Sequence, residues 1–487
     1  MTSEVNQVKN QFSSNPHLWP QFLESIKISG LHGFNGEEIY FRFPICAIVG
    51  ENGMGKSTIL KSLACAYQSS DVTNIPTYYP STFFPETKWD TFPNVELEYK
   101  IRNGTNSVNF KAKKSQRWRF SGTKRTRNVI ILDVSRVLPL DSTRGYTRLI
   151  NTALTEISSS QISDEYRSHL SYILNRNYTN ARFSKTNQDD TREVGILARQ
   201  YGEVSQFHQG AGEDATLDLI KVLDTIPNNS LVLIDEVEAS LHPKAQRRLI
   251  ELLIKLTRTK RLQIIVTTHS PYILAEIPAE GRLLVLDSQN RKEIIPGISV
   301  NFALSQMDEN DHPDLYIFTE DMEAATIVYE IIKKHDNSST ILRRVLAKPV
   351  GPSNVVEILG TLKVEGRLPY MSLSVLDADK PTSNGCIKLP GNLAPERQIY
   401  KDLKSNNWNE LENRFNVGPG ILYSILDEAI LLPNHHDWNE FVGNKLKKSK
   451  SHVWEILVNQ WVNTCLTQNE IDNFNELICN ELIPASA

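Results

Sequence analysis

Residues 50–57 read Gly-Glu-Asn-Gly-Met-Gly-Lys-Ser, a glycine-rich loop that ends in lysine and serine. An apolar run, 45–49, precedes this loop, and the apolar-periodic segment 59–67 follows it. A buried strand, the loop and then a helix form the context in which GxxxxGK[ST] binds phosphate groups. Glycines let backbone N–H groups approach the phosphates, and the amino terminus of the helix adds its dipole. The pattern therefore restricts the first part of the chain to an α/β fold with a nucleotide site.

The loop also predicts the role of its side chains. Lys56 is expected to supply positive charge to the β- and γ-phosphates, and Ser57 to offer its hydroxyl to Mg²⁺. The cofactors predicted from this loop are ATP and Mg²⁺. Further nucleotide contacts are expected from residues within the loop and directly after it, namely Gly50, Asn52, Gly53, Gly55 and Thr58.

A second pair of functional residues follows the apolar run Leu-Val-Leu-Ile at 231–234, where Asp235 and Glu236 stand side by side. Their carboxylates are expected at the carboxyl end of a buried strand, where open α/β sheets bind ligands. Asp235 suits the coordination shell of Mg²⁺, and Glu236 is placed to activate water as a general base.

Two further segments are candidates for phosphate contacts. His269 ends the next buried strand, and although a lone histidine is usually structural, this position favours a sensor of the γ-phosphate. Gly210, Gly212 and Glu213 open a helix whose free N–H groups could hold a phosphate. The alternative for this second segment is an ordinary glycine turn at the start of a helix.

The length of 487 residues predicts two or three domains. We expect a first α/β domain over 1–305 with antiparallel strands within 93–135, a helical insert at about 145–182 and a loop at 184–193. A smaller α/β domain is predicted over 306–400. A helical region is predicted over 401–487.

The composition limits the partners of the chain. The net charge of −4 gives no global attraction to nucleic acid, so such a surface would be a local patch. Segment 110–127 holds eight Lys/Arg with aromatic residues between them, which indicates either nucleic-acid contact or a solvated strand face. The basic run 445–450 is typical of a solvated loop. Five scattered cysteines, a polar amino terminus and no apolar stretch of ~20 residues predict a cytoplasmic protein without membrane contact.

The motifs of the first domain resemble those of the ABC ATPase superfamily, in the non-transporter branch that includes RecF, SMC and OLD (overcoming lysogenization defect) proteins. The segment IDEVEASLHPKAQRRL is similar to the acidic strand end, D-loop and helix of that branch, with Ser240 and His242 in the D-loop. The segment FHQGAGEDA resembles its signature motif, with Gly210 where a serine usually stands. This resemblance implies a homodimer or higher homo-oligomer, because the signature of one subunit completes the ATP site of another.

Acidic residues follow two predicted strands of the second domain. Glu320 comes after LYIFT, and Asp377 and Asp379 come after MSLSVL. Acids at the ends of neighbouring strands can converge on one or two hard cations, which stabilise the oxygens in phosphodiester cleavage. The pattern resembles the Toprim domain, which implies metal ligation by these three acids. The lesser candidates are Asp321, Glu323 and Glu396, and the small glycine of the motif is replaced here by Asp321.

An ATPase followed by a Toprim-like domain is the layout of OLD-family nucleases, including the nuclease of the Gabija defence system. The resemblance implies Mg²⁺- or Mn²⁺-dependent cleavage of nucleic acid, gated by ATP, in defence against phage. The alternative is a sensor or scaffold ATPase whose degenerate Toprim-like domain restrains or activates a separate effector protein. The ATPase subunits of the PARIS and Septu systems are of this second kind.

Overall fold

The structure is a computed structural model, which describes residues 3–134, 155–187, 189–288, 291–308, 312–335 and 341–482, without the side chains of 189–192 and 288. The chain forms two compact units, Met1–Asp308 and Glu309–Ala487. Both contain sheets and helices, so the predicted α/β class with a mixed sheet is confirmed. No described helix is both long enough and apolar enough to cross a membrane.

The described strands of the first unit form three sheets and one short strand pair. Their bounds are β1 Leu23–Leu31, β2 Phe34–Tyr40, β3 Ile45–Val49, β4 Tyr67–Gln68, β5 Glu96–Asn103, β6 Asn106–Lys114, β7 Trp118–Ser121, β8 Arg125–Thr126, β9 Val129–Leu132, β10 Glu156–Gln161, β11 Asn180–Thr186, β12 Asp189–Arg199, β13 Gly202–Ser205, β14 Leu231–Ile234, β15 Gln263–Thr267, β16 Arg282–Ser288 and β17 Arg291–Pro296.

The helices of this unit cover the sheets. They are α1 Ser3–Ser14, α2 Lys56–Ala64, α3 Pro80–Phe83, α4 Asp164–Leu174, α5 Ala211–Thr225, α6 Pro243–Thr259, α7 Pro271–Glu276 and α8 Val300–Ser305, with 3-10 turns at Pro16–Leu18, Gln206–His208 and Ala279–Gly281.

The central sheet has six strands in the order β17-β16-β3-β15-β14-β9. All neighbours in it are parallel except β16 and β17, which form an antiparallel edge. Every residue of β3, β14 and β15 is buried. Apart from Gln263 and Thr267 at the ends of β15, these strands are apolar throughout, which is typical of parallel strands that are covered on both faces.

A second sheet, in the order β2-β1-β5-β6-β7, is antiparallel throughout. Buried and exposed positions alternate along much of β5, as expected for a strand with one solvated face. The prediction that 129–132 also belongs to these antiparallel strands was wrong. This segment is β9, which pairs in parallel with β14, and its four consecutive apolar residues suit the central sheet better than a half-exposed one.

The described part of the predicted insert is mostly strand. Strands β10, β11, β12 and β13 form a four-stranded sheet, and α4 lies between β10 and β11 in the chain. The prediction of a helical segment at about 145–182 is confirmed only for α4, and the prediction of a loop at 184–193 was wrong where these residues are described. The physical reason is visible in β11, where Ala181 and Phe183 alternate with less buried neighbours. That period of two is typical of a strand, although the polar residues between them resemble an exposed helix.

The second unit has a parallel sheet in the order β19-β18-β20-β21, with bounds β18 Leu315–Thr319, β19 Val345–Pro349, β20 Ser372–Leu376 and β21 Cys386–Lys388. Its helices are α9 Met322–Lys333, α10 Ser353–Val364, α11 Pro395–Ser405, α12 Leu411–Phe415, α13 Pro419–Ile430, α14 Trp438–Leu446, α15 Lys450–Thr464 and α16 Gln468–Leu482, with a 3-10 turn at His435–Asp437. One buried cluster contains both sheet and helix residues, so the sheet and the carboxyl-terminal helices form one compact body rather than two separated at residue 400.

Candidate nucleotide site and acidic cluster

Three parallel strands bring the predicted nucleotide residues to one edge of the central sheet. Strand β15 lies between β3 and β14. The glycine loop follows β3, Asp235 and Glu236 follow β14, and His269 comes two residues after β15. Because parallel strands end at the same edge, segments far apart in sequence meet at one place.

The glycines of the loop are required by its conformation. Gly50, Gly53 and Gly55 have φ values of 149°, 80° and 94°, which side-chain-bearing residues rarely adopt. A Cβ atom at Gly50 would lie 2.4 Å from the carbonyl oxygen of Val285, and one at Gly55 would lie 2.8 Å from the ring of Phe34. The loop therefore needs glycine at both ends for close packing as well as for backbone geometry.

Lys56 is held at the base of this loop. Its Nζ donates hydrogen bonds to the carbonyl oxygens of Gly50 and Glu51 at 2.8 and 2.9 Å. Burial lowers the pKa of Lys56, and the nearby carboxylates of Asp235 and Glu236 partly oppose that effect. A buried ammonium group that donates to carbonyl oxygens is well placed to bind an anionic phosphate.

The carboxylate of Asp235 is fixed from two sides. Ser57 Oγ donates a 2.8 Å hydrogen bond to Asp235 Oδ2, and Thr267 Oγ1 donates one of 2.5 Å to Asp235 Oδ1. The same threonine hydroxyl accepts the backbone N–H of Glu236 at 2.8 Å. A serine hydroxyl and a carboxylate oxygen in contact are the hard oxygen ligands that Mg²⁺ prefers, so these residues fit the predicted ion.

A cleft of about 350 Å³ opens above these groups. Glu236 lines it and has a φ of 46°, an uncommon value for a residue with a side chain and one that is concentrated at functional sites. The lining residues are His32, Asn52, Gly53, Gly55, Lys56, Ser57, Thr58, Asp235 and Glu236. The structure thus brings together Lys56, Ser57, Asp235, Glu236 and most of the loop residues that were predicted to contact a nucleotide, and whether they do so stays a prediction.

His32 is a member of this lining that the sequence analysis missed. Its Nδ1 lies 2.8 Å from Thr58 Oγ1, and its ring contacts Phe92 edge-on at 5.4 Å. Burial lowers the pKa of His32, although Asp90 acts in the opposite direction. His32 lies in the turn between β1 and β2, where no motif marks it.

His269 lies at the same sheet edge but outside the set that lines the cleft. Its backbone N–H donates a 2.6 Å hydrogen bond to Glu238, and its buried Nε2 has no hydrogen-bond partner among the described residues. Burial, followed by the charge of Lys56, lowers the pKa of His269. A neutral imidazole with an unused ring nitrogen could accept or donate a bond to a polar ligand.

The glycine segment before α5 is also outside the cleft of its own chain. Gly212 packs closely on the D-loop, since a Cβ atom there would lie 2.4 Å from the carbonyl oxygen of Ser240. Glu213 is hydrogen-bonded to Tyr178 and Arg199. A Cβ atom at Gly210 would meet nothing within 4 Å.

In the second unit, the three predicted acids follow adjacent strands. Glu320 comes directly after β18, and Asp377 and Asp379 come after its parallel neighbour β20. The backbone N–H of Asp377 donates a hydrogen bond to Glu320, and Lys380 Nζ lies 3.9 Å from Glu320 Oε2. Asp379 is exposed, whereas Asp377 is buried.

Two buried carboxylate oxygens in this cluster, Glu320 Oε1 and Asp377 Oδ1, have no hydrogen-bond partner among the described residues. Burial, followed by the charge of Glu320, raises the pKa of Asp377 to about 8. Burial also raises the pKa of Glu320. A bound cation would relieve this accumulation of negative charge, so the residues fit a hard divalent ion.

The lesser candidates have partners of other kinds. Asp321 caps α9 by accepting the backbone N–H of Ala324 at 2.8 Å, and Glu323 forms a 2.8 Å ion pair with Lys450. Glu396 lies beside two histidines, His435 and His436.

Several basic side chains of segment 110–127 form ion pairs with acidic neighbours. Lys111, Lys113 and Lys114 form ion pairs with Glu98, Glu96 and Glu86 at 2.9, 3.2 and 2.7 Å. Arg127 is buried within the first unit and donates to Gln263 Oε1 at 2.9 Å. Arg117 and Arg119 are exposed. In the run 445–450, Lys450 pairs with Glu323 and Lys445 lies 3.8 Å from Glu428.

Comparison with known proteins agrees with the geometry of the first unit. Residues 45–275 match the family described as "AAA domain, putative AbiEii toxin, Type IV TA system". The chain is 22% identical over 326 residues to the Septu protein PtuA of Bacillus thuringiensis, covering 58% of this chain and 80% of that protein. It is 28% identical over 151 residues to the Retron Vc95 probable ATPase of Vibrio cholerae serotype O1 biovar El Tor, covering 27% of this chain and 28% of that protein.

Among solved structures, the SMC head domain from Thermotoga maritima aligns with a TM-score of 0.35 at 14% identity, covering 56% of this chain and 98% of that one. The SMC head bound to the C-terminal winged-helix domain of ScpA aligns with a TM-score of 0.37 at 16% identity, covering 56% and 97%. Residues 45–275 are therefore similar to an AAA domain, and the chain is similar to the Septu protein PtuA and to the retron ATPase.

Proposed function

We propose that the first unit binds and hydrolyses ATP at the cleft above Lys56. The observation that carries this proposal is the pair of hydrogen bonds that hold Asp235 between Ser57 and Thr267. In this proposal Lys56 binds the β- and γ-phosphates, and Ser57 and Asp235 hold Mg²⁺. That ion, when bound, supplies positive charge to the phosphates.

Glu236 is the proposed general base. It lines the cleft next to the proposed metal ligand, and its backbone is fixed by Thr267, so its carboxylate can accept a proton from water at the γ-phosphate side. His269 is the proposed sensor of the γ-phosphate, which its unpartnered Nε2 supports. Loss of turnover with retained nucleotide binding in Glu236→Gln would support this assignment. Unchanged turnover would contradict it.

The working unit in this proposal is a homodimer in which Gly210 and Gly212 of one subunit contact the nucleotide of the other. Their position outside the cleft of their own chain supports an arrangement in trans, and the open space around Gly210 leaves room for a ligand. Light scattering of Glu236→Gln with and without ATP tests this. ATP-dependent doubling of the mass is expected, and a monomer under both conditions would contradict the dimer.

For the second unit we propose a Toprim-like metal-dependent nuclease that the ATPase gates, in the manner of OLD-family proteins. The observation that supports it is the pair of buried, unpartnered carboxylate oxygens of Glu320 and Asp377. Glu320, Asp377 and Asp379 would hold Mg²⁺ or Mn²⁺, which when bound stabilises charge on phosphodiester oxygens. The exposed side chain of Asp379 keeps one edge of the cluster open to a substrate.

A second candidate function has its own support. Lys380 lies near Glu320 and supplies a positive charge where a metal ion would otherwise do so, which suits a degenerate site. The lysines of segment 110–127 are largely paired, which leaves less charge for nucleic acid. Together with the similarity to the Septu protein PtuA, this supports a sensor or scaffold ATPase that acts on a separate effector in anti-phage defence.

Plasmid cleavage distinguishes the two functions. The full chain is incubated with supercoiled plasmid and Mg²⁺ or Mn²⁺, with and without ATP. The nuclease predicts nicking or linearisation that Asp377→Asn/Asp379→Asn abolishes while ATP turnover continues. The matched control is Asp472→Asn, which changes an exposed carboxylate of the same unit. Turnover of ATP without cleavage by any variant would favour the effector-dependent ATPase.

A further inference from the structure

A second group of metal-ligating side chains lies in the second unit, apart from the three acids proposed for the nuclease. Glu396 is in the first turn of α11, and His435 and His436 form the 3-10 turn before α14. Each of the three residues has one potential ligand atom that lies within 4.8 Å of those of the other two. Glu396 and His435 are 39 residues apart in the sequence, and the fold brings them to one point.

The carboxylate of Glu396 is deeply placed, with a side-chain exposure of only 3%. Its Oε1 lies 2.9 Å from His436 Nδ1, and its Oε2 lies 3.9 Å from His435 Nε2. Each carboxylate oxygen therefore faces one imidazole. The side chains of His435 and His436 are 18% and 60% exposed, so an ion could reach the group from solvent.

The two imidazoles are held in place by their surroundings. Their ring centroids are 4.0 Å apart, and the ring of His435 also contacts Trp438 edge-on at 6.3 Å. Trp438 is fixed in turn, because its Nε1 donates to the carbonyl oxygen of Leu432 at 3.1 Å. Asn434 caps the turn by accepting the backbone N–H of His436. The ligand atoms therefore belong to an ordered turn and a helix start.

Negative charge surrounds this group. Asp321 interacts electrostatically with Glu396 and His436, and Asp379 interacts with His435. Lys450 and Arg397 supply the opposing positive charges. A divalent cation at the histidines would reduce the repulsion among these carboxylates.

We propose that Glu396, His435 and His436 bind a first-row divalent transition metal ion, for which Zn²⁺ is the test ion. Two imidazole nitrogens and one carboxylate oxygen form a donor set that suits Zn²⁺ and disfavours Mg²⁺, which selects oxygen ligands. Three protein ligands leave one position open to water or another ligand. This site goes beyond the proposed nuclease, because it uses none of Glu320, Asp377 or Asp379 and assigns Glu396, a lesser candidate there, to a separate ion together with two histidines.

The test is Zn²⁺ binding to the full chain after metal removal, measured by calorimetry in millimolar Mg²⁺ so that oxygen-only sites are occupied. We expect one Zn²⁺ per chain that His436→Gln weakens at least ~10-fold and His435→Gln/His436→Gln abolishes. Replacement with Co²⁺ should give a visible absorption band typical of nitrogen ligation, also lost in the double variant. The exposed His452, changed to Gln, is the matched control.

Circular dichroism checks the folding of each variant. His436→Gln is expected to keep the native fold, because the side chain of His436 is more than half exposed. Asp377→Asn separates this site from the nuclease acids: it should abolish plasmid cleavage without changing Zn²⁺ affinity. Equal Zn²⁺ affinity in wild type, His436→Gln and His452→Gln would overturn the proposal. So would the absence of stoichiometric binding to the wild type.

Discussion

The hydroxyl of Thr267 links Asp235 and Glu236, since it donates a hydrogen bond to Asp235 Oδ1 and accepts the backbone N–H of Glu236. Thr267 is completely buried at the end of β15. This strand lies between β3, which precedes the glycine loop, and β14, which precedes Asp235. One side chain thus fixes both the proposed metal ligand and the proposed base.

Replacing Thr267 with valine keeps the shape of the side chain but removes both hydrogen bonds. We expect ATP turnover to fall about 10- to 100-fold, as is typical when a group that orients a metal ligand is lost. The measurement is steady-state ATPase activity as a function of Mg²⁺ concentration. Thr267→Ser retains the hydroxyl and is the control, with turnover expected within a few-fold of wild type. Full activity in the valine variant would contradict the proposed role.

The start of α5 packs against the D-loop so closely that an added methyl group has no room. A Cβ atom at Gly212 would lie 2.4 Å from the backbone oxygen of Ser240, whereas one at Gly210 would meet nothing within 4 Å. We expect Gly212→Ala to lower the free energy of unfolding by about 1–3 kcal/mol in urea titrations. Gly210→Ala should have a smaller effect. Equal stability of the two variants would show that Gly212 is not tightly packed in solution.

Arg127 belongs to a basic segment in the sequence but is buried in the structure. Its guanidinium donates to Gln263 Oε1 and to the carbonyl oxygens of Asn229, Gln21 and Ser230. Arg127→Met would remove all of these hydrogen bonds. Gln263 Oε1 and the carbonyl oxygens of Gln21 and Ser230 each keep another donor, whereas the carbonyl oxygen of Asn229 keeps none among the described residues. We expect a loss of about 1–3 kcal/mol in the free energy of unfolding, as when a buried acceptor loses its hydrogen-bond partner.

The control for Arg127 is Arg119, an exposed arginine of the same segment. Arg119→Met should change stability by less than ~0.5 kcal/mol, because isolated surface substitutions have small effects. Urea titration of both variants measures the difference. If both variants lost the same stability, the buried network would not be the source of the effect.

The sequence predicted which segments meet at one edge of the central sheet, because each of these segments carries a local pattern. The glycine loop, the apolar run before Asp235 and the strand before His269 each carry a signal within about ten residues. That these strands are neighbours follows from the general rule for open parallel sheets. The same reasoning placed Glu320 and Asp377 on adjacent strands of the second sheet.

Features that depend on contacts between distant segments were not predicted. The charge of Arg127 resembled a surface patch in the sequence, and only the fold shows its buried acceptors. His435 and His436 lie on a short turn without a metal-binding spacing, and Glu396 reaches them through the packing of α11. Strand β11 was mistaken for the end of a helical segment because polar residues obscured its period of two.

The stability of the first unit should depend on pH through two acids of α5. Burial, followed by the charge of Asp214, raises the pKa of Asp218 to about 7, and burial raises the pKa of Asp214 to about 6. The ordinary pKa of an aspartate side chain is 3.8. At pH values between the ordinary pKa and the raised pKa, the folded state keeps protons that the unfolded state has released. The free energy of unfolding therefore falls as pH rises and levels off above about pH 7.

Asp218→Asn removes the larger of these contributions by keeping the side chain neutral. Relative to wild type, the variant should gain stability with rising pH, by at most about 4 kcal/mol at pH 8, because each pKa unit corresponds to about 1.4 kcal/mol. Urea titrations from about pH 5 to 8 measure this difference. Asp164→Asn, which changes a side chain that is 92% exposed, should follow the wild-type curve. If the difference between Asp218→Asn and wild type did not grow with pH, the carboxyl of Asp218 would not be protonated in the folded chain near neutral pH.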